Sequence, residues 1–130
     1  MIGERTVFIQ QPFDEFLGFQ YERTDDKSVR VVLPIKQLYI NSFGVVHGGI
    51  ISSLADVAMC NTVGVDENNR QKVVTVDLNV SFLKGAKGEC LVAYAHAVKE
   101  GRNLTHADCL IYDEKDQLIA KAKGVFFNNS

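Results

Sequence analysis

Residues 41–64, NSFGVVHGGIISSLADVAMCNTVG, decide the fold. Between Gly49 and Val63 the apolar positions are Ile50, Ile51, Leu54, Ala55, Val57, Ala58, Met59, Cys60 and Val63. At a 3.6-residue period they cover most of the circumference, which predicts one helix buried on nearly every side. Asp56 interrupts this run, with Ser52 at i−4 and Ser53 at i−3 on its face. An ionised carboxylate in a buried helix is costly unless it is hydrogen-bonded or paired, so keeping one there points to chemistry.

His47-Gly48-Gly49 opens the helix. Two glycines allow a tight turn and a close approach of backbone to ligand. The first N–H groups of a helix lack internal partners and sit at the positive end of its dipole, which suits an anion or a developing oxyanion. Gly48 and Asp56 are eight residues apart, roughly 12 Å along a helix axis at ~1.5 Å per residue. One reacting carbonyl cannot touch both in a single copy. Two copies lying antiparallel across a two-fold axis would bring them together twice, so a shared reaction requires at least a dimer.

From Val74 to Phe82 the period changes to two. Val74, Val76, Leu78, Val80 and Phe82 alternate with Thr75, Asp77, Asn79 and Ser81, the pattern of a strand. Further strands are expected at 19–24, 29–35, 89–99, 104–112 and 118–127, separated by turn-forming runs such as Asp25-Asp26-Lys27-Ser28 and Glu100-Gly101-Arg102-Asn103. The last four strands are expected to form an antiparallel meander. Residues 12–17, PFDEFL, read as a short helix with Pro12 in its first turn and Gly18 at its end. A nearly all-apolar helix needs apolar cover, and a strongly curved antiparallel sheet supplies it, giving an α+β fold.

The whole chain sets limits. Its 130 residues fit one domain, 1–130, and 46% hydrophobic with 23% charged residues is an ordinary globular balance. A net charge of −2 disfavours a nucleic-acid partner, and no basic run argues for a membrane. MIGERTVFIQQPF lacks an apolar core long enough for a signal peptide, and no stretch approaches a membrane span. Cys60, Cys90 and Cys109 are widely spaced, which argues against a disulfide framework or a zinc site and for a reducing, cytoplasmic compartment. His96 and His106 have no cysteine or carboxylate at metal spacing, so no metal and no separate cofactor are expected. The chain has no Gly-x-Ser-x-Gly elbow.

Asn41-x5-His47-Gly48-Gly49-x6-Asp56, followed by Val76-Asp77-Leu78-Asn79-Val80-Ser81-Phe82, resembles the hotdog-fold acyl-CoA thioesterases of the PaaI-like family. The match spans roughly residues 38 to 86, and the strand pattern extends it to the C-terminus. The resemblance implies a hotdog fold, a curved antiparallel sheet around one long helix. It implies hydrolysis of an acyl- or aryl-acyl-CoA thioester, coenzyme A being part of the substrate. It assigns Asp56 as general base or nucleophile and the Gly48 N–H as oxyanion donor. His47 becomes a positioning group, and the Asn41 amide orients the carbonyl or water. Some relatives carry a hydroxyl residue where this chain has Lys84.

Each residue also has a plainer reading. Asp56 can cap local hydroxyls, Gly48 can serve the turn, His47 can brace the loop and Asn41 can be a turn residue. Phe43, Gly49, Ser53, Met59 and Phe82 are candidates for the substrate pocket, compatible with aryl-acetyl or medium-chain acyl groups. Lys84, Lys87 and Arg102 are candidates for the coenzyme A phosphates, against ordinary surface solvation. Cys60, at i+4 from Asp56, reads as packing. A homodimer, or a dimer of dimers, is the expected assembly. The competing functions are a non-catalytic acyl-CoA-binding module and a hotdog enoyl-CoA hydratase.

Overall fold

The computed structural model describes residues 7–129, so the first six residues of the stretch read for a signal peptide lie outside the described residues. The elements are α1 (Pro12–Leu17), β1 (Gln20–Asp25), β2 (Ser28–Pro34), α2 (Gly48–Cys60), β3 (Val73–Phe82), β4 (Cys90–Glu100), β5 (Leu104–Asp113) and β6 (Leu118–Asn128). Short 3-10 turns cover Gln37–Tyr39 and Asn61–Val63. The strands form one antiparallel sheet in the order β1-β2-β4-β5-β6-β3, and α2 packs on it. This is the hotdog arrangement, an α+β fold.

The sheet is built to receive a helix at close range. Val29, Val31 and Leu33 of β2, Ala93 and Ala95 of β4, Ala107, Cys109 and Ile111 of β5, and Ala122 and Phe126 of β6 are buried. They form one core with Ile51, Leu54, Ala55, Ala58 and Met59 of α2. The small side chains leave room for the helix. At Gly124 an added Cβ would lie 2.6 Å from the Phe126 ring and 3.3 Å from the Met59 methyl. Leu54 is fully buried, and truncating such a leucine to alanine costs about 2–5 kcal/mol. Met59, expected at the substrate pocket, is 1% exposed and belongs to this core instead.

Two expectations are corrected by the tertiary structure. The last four strands do not form one meander: β4, β5 and β6 do, but β3 pairs with β6 and ends as an edge. Residues 83–89 carry the chain from that edge back to β4, which lies beside β2. Hydrophobic alternation fixes which face of a strand is buried and is silent about its neighbour. Nor is α2 buried all round. Gly49 is exposed, and Ser52, Ser53 and Asp56 are half-buried. These residues, at helical spacing, form an open strip along one side.

Candidate active site

The loop before α2 is organised by its own polar groups. The Asn41 Oδ1 accepts from Phe43 N at 2.9 Å and Val45 N at 3.3 Å, while Asn41 N donates to Val45 O at 2.8 Å. The side-chain oxygen of Asn41 is thus engaged within the loop, and only its Nδ2 end can serve a substrate. Phe43 projects from this loop almost fully exposed, at 93%. His47 N donates to Tyr39 O at 2.8 Å, anchoring the loop's end to the buried Tyr39.

At the helix start, the His47 Nδ1 accepts from Gly49 N at 3.1 Å, and the His47 carbonyl accepts from Ile50 N and Ile51 N. An accepting Nδ1 places the proton of the neutral imidazole on Nε2. Among the described residues, Gly48 N–H is the first-turn amide left without an acceptor. It opens onto a cleft of about 330 Å³ lined by Val45, Ile51, Phe82, Leu83 and Lys84. The Phe82 ring covers Gly48, 3.4 Å from where a Cβ would stand. The structure thus brings Phe82, Lys84 and Gly48 together at one cleft. The Lys84 Nζ donates to Gln117 Oε1 across this rim.

Asp56 lies further along α2 and its partner is Thr75, whose Oγ1 donates to Asp56 Oδ1 at 2.7 Å. The serines do not serve it: Ser53 Oγ donates to Gly49 O at 2.8 Å. Burial holds the Asp56 carboxyl above its ordinary range, and the Thr75 hydrogen bond opposes this by favouring the ionised form. Burial and the Asp56 charge together push the Cys60 thiol up to about 12. Such a thiol is a packing group, as read from its place in the helix. Cys60, Cys90 and Cys109 carry no disulfide.

A strict alternation groups Thr75 with Asp77, Asn79 and Ser81 on one face of the strand. A β-bulge between Thr75 and Asp77 overturns that. Thr75 opposes Phe126 and Asp77 opposes Val125, leaving Val76 as the extra residue. One extra residue reverses the parity of a strand. Val73 and Thr75 thus face α2 before the bulge, and Leu78 and Val80 pack on the core after it. A hydroxyl does meet the candidate carboxylate, but it comes from position 75 and not 84. A near-perfect alternation hid the bulge; the hydroxyl among valines was its only trace.

The basic candidates separate. Lys84 follows the end of β3, whereas Arg102 lies in the β4–β5 turn, where the Asn103 carbonyl accepts from Asn128 N at the end of β6, opposite Val73 at the start of β3. The ten residues of β3 stand between them, about 30 Å at ~3.4 Å per residue. Lys84 and Arg102 of one chain cannot hold the same phosphate. Asp77, Asn79, Ser81, His96 and His106 are exposed. Among the described residues no group of three His, Cys, Asp or Glu side chains is placed to hold a metal ion, and no helix is long and apolar enough to cross a membrane.

An apolar helix seated in a curved antiparallel sheet is the hotdog architecture, and here it carries an open N-terminal amide and a half-buried carboxylate along one strip. The chain belongs to the Thioesterase superfamily, whose model matches residues 43–120. A Pseudomonas aeruginosa protein carrying an esterase name is 30% identical over 95% of this chain and 93% of its own. The medium/long-chain acyl-CoA thioesterase YigI of Escherichia coli is 25% identical over 97% and 90% of the two chains. The Escherichia coli PaaI protein from the phenylacetic acid degradation operon shares the fold, with a TM-score of 0.81, 22% identity, and coverage of 93% and 86%. A Streptococcus pneumoniae thioesterase protein solved with coenzyme A also shares it, with a TM-score of 0.75, 22% identity, and coverage of 95% and 88%.

Proposed function

We propose that the protein hydrolyses an acyl-CoA thioester to the free acid and coenzyme A, with each active site built from two chains. The observation that carries this reading is the open strip of α2, with an unpartnered Gly48 N–H at its start and the Thr75-held Asp56 carboxylate two turns on. The Gly48 amide, at the positive end of the helix, stabilises negative charge as it develops on the thioester oxygen. Asp56 either removes a proton from the attacking water or attacks the carbonyl itself. Thr75 orients the Asp56 carboxylate. The His47 Nε2–H and the Asn41 amide position the thioester. No metal or separate cofactor enters the reaction.

Gly48 and Asp56 of one chain are too far apart to serve one carbonyl, so the second group comes from a second copy. Edge strand β3 offers the surface for it. Val74, Val76 and Phe82 are 50%, 61% and 54% exposed, and among the described residues no strand pairs with β3 on its outer side. A copy lying antiparallel along this edge places Asp56 of one chain beside Gly48 of the other, twice. It also carries Arg102 of the second chain toward Lys84 of the first, where both can serve the phosphates of coenzyme A. The cleft beside Phe82 and Phe43 then takes a medium-chain or aryl-acyl group.

Complementation tests the shared site. One subunit carries Asp56→Asn and the other Asn41→Ala with Gly48→Val. Each homodimer is expected to be nearly inactive in thiol release from a panel of acyl-CoAs. A mixed dimer regains one intact site of its two, hence about half of the wild-type rate. A fully active monomer, or mixed dimers that stay inactive after verified subunit exchange, refutes the shared site. Water addition to an enoyl-CoA without thiol release would replace the hydrolase reading with a hydratase.

A further inference from the structure

The segment that carries Lys84 is clasped by the β5–β6 hairpin. At its start, Leu83 N and Lys84 N both donate to Ile119 O, at 2.8 and 3.2 Å. At its end, the Glu114 carboxylate accepts from Glu89 N at 2.9 Å and from Cys90 N at 3.3 Å. A Cβ at Gly88 would collide with that carboxylate, so only glycine lets the turn come so close. Between the two, Ala86 O accepts from Val46 N at 2.7 Å and ties the segment to the loop before α2. The Lys84 side chain is held as well. Its Nζ donates to Gln117 Oε1, and Gln117 Nε2 donates to Asp113 Oδ2 at 2.9 Å. Asp113 is buried, and its Oδ1 accepts from Lys115 N and Gln117 N, each at 2.9 Å. Both ends of the Gln117 amide are therefore fixed, the oxygen toward the lysine and the nitrogen toward the aspartate.

We propose that Gln117, braced by Asp113, is a positioning residue that holds the Lys84 ammonium at the mouth of the cleft for a phosphate of the substrate. This rests on acyl-CoA hydrolysis as the reaction, and adds to it what selects the carrier of the acyl group. Lys84 lines the cleft onto which the Gly48 amide opens. Its holder is a neutral amide, which fixes an ammonium without cancelling its charge. A carboxylate in that place would neutralise it. The Asp113 carboxylate spends both oxygens inside its own turn, and none of the ion pairs among the described residues involves Lys84. An ammonium has three donors and Gln117 takes one, which leaves two for phosphate oxygens. A free lysine stem loses many rotamers when it binds a ligand. A stem already ordered by the fold does not lose them again, so the hold strengthens binding. The consequence is a preference for thioesters on a phosphate-bearing carrier over the same acyl group on a carrier without phosphate.

Thiol release from an acyl-CoA is compared with release from the same acyl group on N-acetylcysteamine, which has no phosphate. The ratio of the two kcat/KM values is measured in wild type, Gln117→Met, Lys84→Met and the double variant. Gln117→Met keeps the length of the side chain and removes both of its hydrogen bonds. It should lower the ratio about two- to tenfold, the worth of one ordered long side chain, through KM for the acyl-CoA. Lys84→Met should lower the ratio further. Adding Gln117→Met to it should change nothing more, because the holder then has nothing to hold. A merely structural Gln117 would slow both thioesters alike and leave the ratio unmoved, which overturns the proposal. Additive effects of the two substitutions overturn it too. So does a Lys84→Met variant that slows both thioesters equally, since the lysine would then serve the carbonyl. Should Gln117→Met fail to fold, Gln117→Asn, one methylene short of spanning Lys84 and Asp113, carries the same expectation. Failure of the hydrolase reading shows separately, as no thiol release from either thioester by wild type. Free coenzyme A titrated into wild type and Gln117→Met then decides the hold: weaker binding to the variant by the same factor supports it, and equal binding overturns it.

Discussion

The two ends of α2 are finished in opposite ways. The C-terminal end is closed by polar contacts. Arg23 donates to Asn61 O at 2.8 Å and to Thr62 O at 3.2 Å, and its charge suits the negative end of the helix. The Thr62 Oγ1 donates to Met59 O, the Asn61 Nδ2 donates to Val57 O, and the Asn61 Oδ1 accepts from Ile9 N. Asn61 and Thr62 are fully buried. At the N-terminal end Gly49 N–H is met by His47, but Gly48 N–H is left open beside a cleft. One end is closed for stability, and the other keeps a donor in reserve for a ligand. Damage to the two should therefore read out in different measurements.

The largest effect is expected on the open strip. Asp56→Asn should lower kcat for acyl-CoA hydrolysis by about 10²–10⁴-fold, the range for losing a positioned acid–base group, while the thermal midpoint stays near that of wild type. Thiol release and a melting curve on the same preparation check both halves. Near-normal turnover in the folded variant would end the contrast, because the carboxylate would then be structural like the groups at the closed end.

Asn61→Ala attacks the closed end. It strands Ile9 N–H in the interior, while Val57 O keeps the Asn61 backbone N–H, and costs about 1–3 kcal/mol of stability. The urea midpoint should fall by the matching amount, and the folded fraction should keep its kcat. A drop in kcat without a drop in stability would mean that the two ends are not separable.

The smallest effect sharpens the account of Asp56. Thr75→Val removes a hydrogen bond that favours the ionised carboxylate, so the carboxyl should lose its proton only at higher pH. The acid limb of the kcat/KM profile should then move to higher pH. The loss should be about tenfold at the acid end, matching ~1.4 kcal/mol for a charge-assisted hydrogen bond, and small on the plateau. An unmoved acid limb would separate Thr75 from the titration of Asp56.

The sequence by itself determined the elements and the motif. Two periods, 3.6 in residues 49–63 and two in the strands, are local consequences of backbone geometry and solvent, so they stand in the chain without any neighbour. They place the helix, all six strands and the His47-Gly48-Gly49 entry close to where the structure has them. The spacing of Gly48 and Asp56 along one helix is also local. Tertiary structure alone decided the rest. The choice of β6 over β4 as the partner of β3 depends on how the sheet closes around the helix. The bulge at Val76 that turns Thr75 onto Asp56 is a matter of register between two strands, and register is a relation that one strand's pattern cannot carry. The burial of Asp14 is of the same kind. In sequence it is a polar residue in a short helix flanked by Phe13 and Phe16, both of which the fold leaves exposed. Only the packing of α1 against the rest of the molecule turns its carboxyl inward.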